Sequence, residues 1–217
     1  EIQDVQARLE AANALLREEG EVKKRLLTAE TNRALFEQLD RDMERRITSL
    51  ARLINTLPEV EDPRGLTAYI TLCLCHIKRR CNLFFLARQG EPLPGDELSM
   101  YLDELAELAR YGGVNTLIRC GKVGALKLRG AALCYDFAFE TISWTLREKA
   151  TPLMGYLNAE GAQLVFRFLP GGDPGQWRFS QELVAAVTAL GGQIACKDLD
   201  GAYGICLTVP LGGEACG

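Results

Sequence analysis

The sequence predicts an α+β protein: a long helix with a coiled-coil seam, then a helical hairpin, then a sandwich with helices covering one face of a mixed sheet. Three observations carry this reading. Residues 1–57 hold no proline and one glycine, Gly20, amid many Glu, Arg, Leu and Ala. Residues 58–112 read as two helices joined by the short turn EPLPGD. Beyond residue 113, short strand-like runs alternate with longer helical ones between glycine-rich breaks, which is the pattern of a layered α+β domain.

The N-terminal helix rests on its apolar positions. Val22, Leu26, Ala29, Phe36, Leu39, Met43, Ile47, Leu50, Ile54 and Leu57 recur at coiled-coil intervals with charged residues between them. Gly20 and the acidic REEGE stretch break the earlier phase set by Ile2, Val5, Leu9 and Leu16, so a stutter or joint falls near residue 20. A single unpaired helix of this length would leave its seam in water, and helix pairing is the expectation.

Pro58 and the EVEDP segment end that helix. Asp62 then reads as an N-cap with Pro63 in the first helical turn, and the helix runs to Gln89 with Gly90 as its stop. Residues 96–111 form an amphipathic helix with Leu98, Leu102, Leu105 and Leu108 inward, closed by Gly112 and Gly113. So short a connection predicts antiparallel packing of the two. GVNTLIRCG and GALKLRG read as strands, AALCYDFAFETISWTLREKA as a helix, and GYLNAEGAQLVFRFL as a strand pair bending at Asn158–Gly161. SQELVAAVTALGG reads as a helix and QIACKDLDGAYGICLTVPL as a hairpin turning at Asp200–Gly201. The predicted order is ββ-α-ββ-α-ββ, with domains at 1–57, 58–112 and 113–217.

Composition limits the function. Apolar residues make up 47% of the 217, enough for a core, and a net charge of -4 argues against nucleic-acid binding driven by bulk electrostatics. The eight cysteines are scattered and mostly lie inside apolar runs, which suits reduced, buried thiols better than a disulfide scaffold. No signal peptide is evident, and the apolar runs fall short of the roughly 20 residues that span a bilayer. The chain opens at Glu1 without a Met, so the expectation is a piece of a longer protein whose membrane anchor lies upstream.

The closing run LVAAVTALGGQIACKDLDGAYGICLTVPL resembles the last helix and hairpin of the GHKL-type ATP-binding domain, in which a helix ending in Gly-Gly leads to a strand ending in Val-Pro. ETNRALFEQLDRDMERRITSL and YITLCLCHIKRRCNLFFLARQG are similar to segments of a group of bacterial sensor histidine kinases that carry a KRRxNLxLL string. The resemblance spans about residues 25–212. It implies the cytoplasmic region of a membrane-anchored bacterial two-component sensor. Such a region pairs through its N-terminal helices, docks a response regulator on its helical hairpin and binds ATP with Mg²⁺.

The site residues follow from that resemblance, and so do its departures. A kinase of this kind carries a phosphoacceptor His with an acid–base partner, an Asn-bearing helix for Mg²⁺, and an Asp-x-Gly-x-Gly turn for adenine. Aligning Glu140 with the family glutamate puts Trp144 at the Asn position and Arg147 at a basic one. Tryptophan offers Mg²⁺ no oxygen. Glu140 and Arg147 also read as an ordinary exposed helix pair. In PGGDPGQW, Asp173 and Gly175 fit the adenine turn, Trp177 replaces its second glycine, and the same stretch reads equally as a tight surface loop. Only about six residues separate Asp173 from the helix near Ser180, which leaves no room for a nucleotide lid. The expectation is a kinase-like module with a degenerate nucleotide site. The alternative is an active ATP-dependent autokinase that phosphorylates His76.

LCLCHIKRRCN, residues 72–82, holds three cysteines and the chain's single histidine. A metal site needs convergent ligands, yet Cys75 and Cys81 point away from the face shared by Cys73 and His76. A phosphoacceptor His76 needs a neighbouring acid or amide, and its successor is Ile77. In the third reading Cys73 and Cys75 are core residues, His76 borders the core with one ring nitrogen bonded, and Lys78–Arg80 lie at the surface, placed either to pair with Asp103, Glu104 and Glu107 or to face a partner. A thiol redox sensor would rest on the cysteine count alone.

Overall fold

The computed structural model describes residues 17–24, 26, 30, 33, 37, 43–57, 63–171, 178–198 and 203–211. The chain divides into two compact units, Glu1–Ser49 and Leu50–Gly217. Residues 17–24 and 43–56 are helical, as the apolar spacing predicts. Val22, Leu26, Ile47 and Ile54 of the predicted seam stand exposed in the single chain, whereas Leu50 is buried.

In the second unit, helix α1 (Pro63–Gln89) begins at the proline the sequence marked and ends at Gly90. Gly90 has φ +74°, a conformation that favours glycine. Helix α2 (Gly95–Tyr111) buries Leu98, Leu102 and Leu105 and stops at Gly112. The first predicted strand forms as β1 (Thr116–Cys120), but the second does not. In its place, Leu126 exchanges both backbone hydrogen bonds with Leu93 in a single bridge (2.8 and 2.9 Å), and the chain turns directly into α3 (Leu128–Glu148). The physical reason is the crossing of this loop over the start of α2. A side chain at Gly95 would lie 2.0 Å from the Val123 carbonyl oxygen, so the loop is held against α2 there and does not run along the open edge of β1.

The remaining elements are β2 (Leu153–Glu160), β3 (Gln163–Pro170), α4 (Gln181–Ala189), β4 (Gln193–Asp198) and β5 (Tyr203–Pro210). The order is therefore β-α-ββ-α-ββ, and the sheet order is β1-β2-β3-β5-β4. β1 and β2 pair in parallel across α3, and the other pairs are antiparallel, which makes the sheet mixed. The β2–β3 hairpin closes through Gly161 and Ala162, with Glu160 opposite Gln163 and Gly161 at φ +61°. The predicted turn at Asp200–Gly201 lies outside the described residues.

The core lies between the sheet and α3. Phe137 of α3 packs against Phe166, Phe168 and Phe179, with ring centroids 5.1–5.6 Å apart. Gly155 makes room for this cluster, since a Cβ there would come within 2.6 Å of the Phe168 ring. The opposite side of α3 meets α1 and α2, so the hairpin helices and the sandwich share one continuous apolar core.

Candidate functional site

Two groups of side chains carry the polar chemistry. The first lies where α1, α2 and α3 meet. The spacing of α1 turns Leu72, His76 and Leu83 inward and leaves Lys78 outward. His76 is 2% exposed, and its Nε2 lies 2.8 Å from Asp136 Oδ1 on α3. The ring stacks on Phe139, with centroids 3.8 Å apart, and lies parallel to Tyr135 at 5.6 Å. Arg80 Nη1 reaches the other Asp136 oxygen at 3.2 Å. One carboxylate thus binds two side chains of α1, one helical turn apart.

A second polar chain runs along α1 and α2. Arg79 Nε donates to Glu104 Oε2 at 2.9 Å, and its guanidinium lies over the Tyr101 ring, 4.1 Å from the centroid. Tyr101 donates to Glu97. Burial raises the Glu104 pKa, but hydrogen bonds from the Cys75 thiol and Arg79 outweigh it and hold the carboxyl below its ordinary range. Burial, reinforced by Glu104, pushes the Cys75 thiol up to about 11, a protonated and unreactive state at neutral pH. Burial raises Cys120, Cys134 and Cys196 in the same direction. Tyr135 Oη and Ser143 Oγ are buried and meet no partner among the described residues.

The second group lies where α3 and α4 approach. Both Glu140 carboxylate oxygens are occupied by Ser180: the backbone N–H donates at 2.9 Å and Oγ at 2.5 Å. Ser180 Oγ also accepts from Leu183 N–H at 3.2 Å, the usual N-cap contact that begins α4. One turn along α3, Trp144 is buried, and Arg147 Nε donates to the Ser143 carbonyl oxygen at 3.3 Å.

These positions locate two of the site residues the sequence singled out. His76 is a bonded, stacked ring between helices, and Glu140 anchors the start of α4. Asp136 and Glu140 are one turn apart on α3, but the first is bound to α1 and the second to Ser180 at the start of α4. Asp173 and Gly175 lie outside the described residues. Of the basic triplet, Arg79 meets Glu104, the first of the two alternatives, whereas Arg80 turns to Asp136. Asp136 was missed, because it lies sixty residues from His76 in sequence. The signal that pointed to it was an acidic residue within an otherwise apolar run, CYDFAF. Among the described residues, no group of three or more His, Cys, Asp or Glu side chains is placed to hold a metal ion. No helix there is long and apolar enough to cross a membrane.

No protein-family model matches the chain, and no curated protein does. Among solved structures, it is similar to the histidine kinase domain of the Erythrobacter litoralis blue-light activated histidine kinase. The identity is 14% and the TM-score 0.47, over 80% of this chain and 93% of that one. It is also similar to the Acinetobacter baumannii histidine kinase AdeS, at 9% identity and TM-score 0.43, over 79% of this chain and 98% of that one. A third similar structure is the histidine kinase ThkA in complex with a response regulator protein, at 10% identity and TM-score 0.41. It is matched over 82% of this chain and 61% of that one.

Proposed function

We propose that this chain is a histidine-kinase-like signalling module of a two-component system that works by coupling helices and not by transferring phosphate. The observation that carries the reading is the closed α3–α4 junction. The family resemblance assigns Glu140 and the residue one turn later to nucleotide and Mg²⁺. Here Glu140 spends both oxygens on Ser180, and the next turn presents the buried indole of Trp144. Mg²⁺ takes oxygen ligands in octahedral geometry, so these residues do not suit it.

What the module retains is mechanical continuity. Asp136 ties hairpin helix α1 to sandwich helix α3 through His76 and Arg80. A change in the register or rotation of α1 would therefore act directly on the sandwich, the kind of two-state element on which switches rest. The proposed partners are a second copy, paired through the N-terminal helices, and a response regulator. The proposed setting is the cytoplasmic side of a membrane-anchored bacterial sensor.

Millimolar Mg-ATP tests the nucleotide part. A ligand that binds only the folded state raises its melting temperature, and the expected result is no shift. A shift that grows with Mg-ATP concentration overturns the reading.

One observation favours the second reading, an active autokinase that phosphorylates His76. The acid–base partner absent next to His76 in sequence is present in space, as Asp136 at 2.8 Å. Against it, the same ring is 2% exposed and stacked on Phe139, so it would have to leave its slot to meet a phosphoryl donor. Radiolabel from ATP that disappears in His76→Ala would establish the autokinase and end the coupling-only reading.

A further inference from the structure

Among the described residues, the sheet has helices on one face only. The outer face of a one-sided antiparallel sheet is ordinarily polar. Here the register sets Leu117 beside Met154 and Met154 beside Leu169, an apolar row across three neighbouring strands. These side chains are 48, 50 and 37% exposed, and Tyr156 in the adjoining row is 44% exposed. On β4 and β5 the same face carries the small residues Ala195, Gly204 and Cys206. The surface therefore steps down from the large row to these, forming a groove of about 540 Å³ with Lys197 on its far side. That volume accommodates a few side chains.

The charge on this face is one-sided. Among the described residues, Arg119, Arg167 and Lys197 stand against one carboxylate, Glu160, which Arg167 grips with two hydrogen bonds of 2.5 and 2.8 Å. That pairing lowers the Glu160 pKa and leaves the charges of Arg119 and Lys197 in surplus. The chain as a whole is acidic, with net charge -4, so a positive apolar strip here is a local feature. It disfavours a second copy laid sheet to sheet, because that arrangement would bring like charges together. It also disfavours an anionic membrane surface, which typically recruits clusters of roughly four to eight cations. In addition, a recessed groove presents no protruding wedge to insert.

We propose that this helix-free face docks an acidic amphipathic segment of a partner protein. Its apolar side chains would enter the groove beside Met154 and Leu169, and its carboxylates would pair with Arg119 and Lys197. This assignment does not depend on whether the module binds nucleotide.

The test uses the full chain, isotope-labelled, and a synthetic amphipathic peptide about five helical turns long, made of Leu, Ala and Glu with the leucines on one face. The expected result is saturable amide shifts confined to the outer face of β1–β5. Affinity should fall about tenfold or more in an Arg119→Glu/Lys197→Glu variant whose melting temperature is unchanged. A control peptide with Lys in place of Glu should not bind. Absence of shifts at millimolar acidic peptide overturns the proposal, as does equal affinity in the double variant. Co-sedimentation with phosphatidylserine vesicles without peptide binding also overturns it and identifies the face as a membrane contact.

Discussion

His76 meets α3 in two ways, through a hydrogen bond from its edge to Asp136 and through its face against Phe139. Replacing it with alanine removes a bond to an ionisable carboxylate and opens a cavity in a three-helix junction. The expected cost is about 2–4 kcal/mol, read as a lower urea midpoint at unchanged slope. A change within about 0.5 kcal/mol would show that the ring contributes nothing to the fold. Glu104 belongs to the same scale. Its folded pKa is depressed despite burial, so its contribution is fully present above the unfolded carboxylate value of about 4.3. It is lost as pH falls through the lower folded value. Unfolding free energy measured from pH 7 to pH 3 should therefore drop more steeply in the wild type than in Glu104→Gln. Parallel curves would contradict the assignment. Helix spacing allowed a bonded core histidine at His76 and a pairing of the basic triplet with Glu104, each beside other readings. Asp136 was not legible, because its meaning depends on which side of α3 faces α1.

At the scale of elements, the sequence marked starts and stops well where backbone chemistry dictates them. Pro63 opens α1, and Gly90, Gly113, Gly161 and Gly191 take positive φ at turns and helix ends. The second strand failed because the short GALKL run is held by Leu93 and by the approach of Val123 to Gly95, contacts invisible to any local pattern. The α3–α4 junction makes its own prediction. Ser180→Ala removes the N-cap of α4 and the hydroxyl bond to Glu140, and leaves the backbone N–H bond to that carboxylate in place. A loss of about 1–2 kcal/mol is expected, with faster amide exchange concentrated in α4. Exchange that rises uniformly across the sandwich would mean that the cap has no local role.

For the whole molecule, the proposed pairing of two chains rests on seam residues that the single chain leaves open. Ile47 and Ile54 are 56 and 47% exposed on a helix whose Leu50 is buried. Sedimentation should give a dimer for the wild type, and an Ile47→Asp/Ile54→Asp variant should be monomeric with its sandwich still folded. A monomeric wild type at high micromolar concentration would remove the pairing.

Periodicity, capping residues and glycine breaks are local properties, and they alone determined the class of fold, the helical hairpin and most strands. The resemblance, and not these patterns, aligns Trp144 with a Mg²⁺ ligand, and reading that residue's identity needs no coordinates. Only the tertiary structure decided what His76 and Glu140 do. Each finds its partner forty or more residues away, Asp136 for the imidazole and Ser180 for the carboxylate. Such contacts are set by how layers pack, and packing is a property of the assembled core that no stretch of sequence carries by itself.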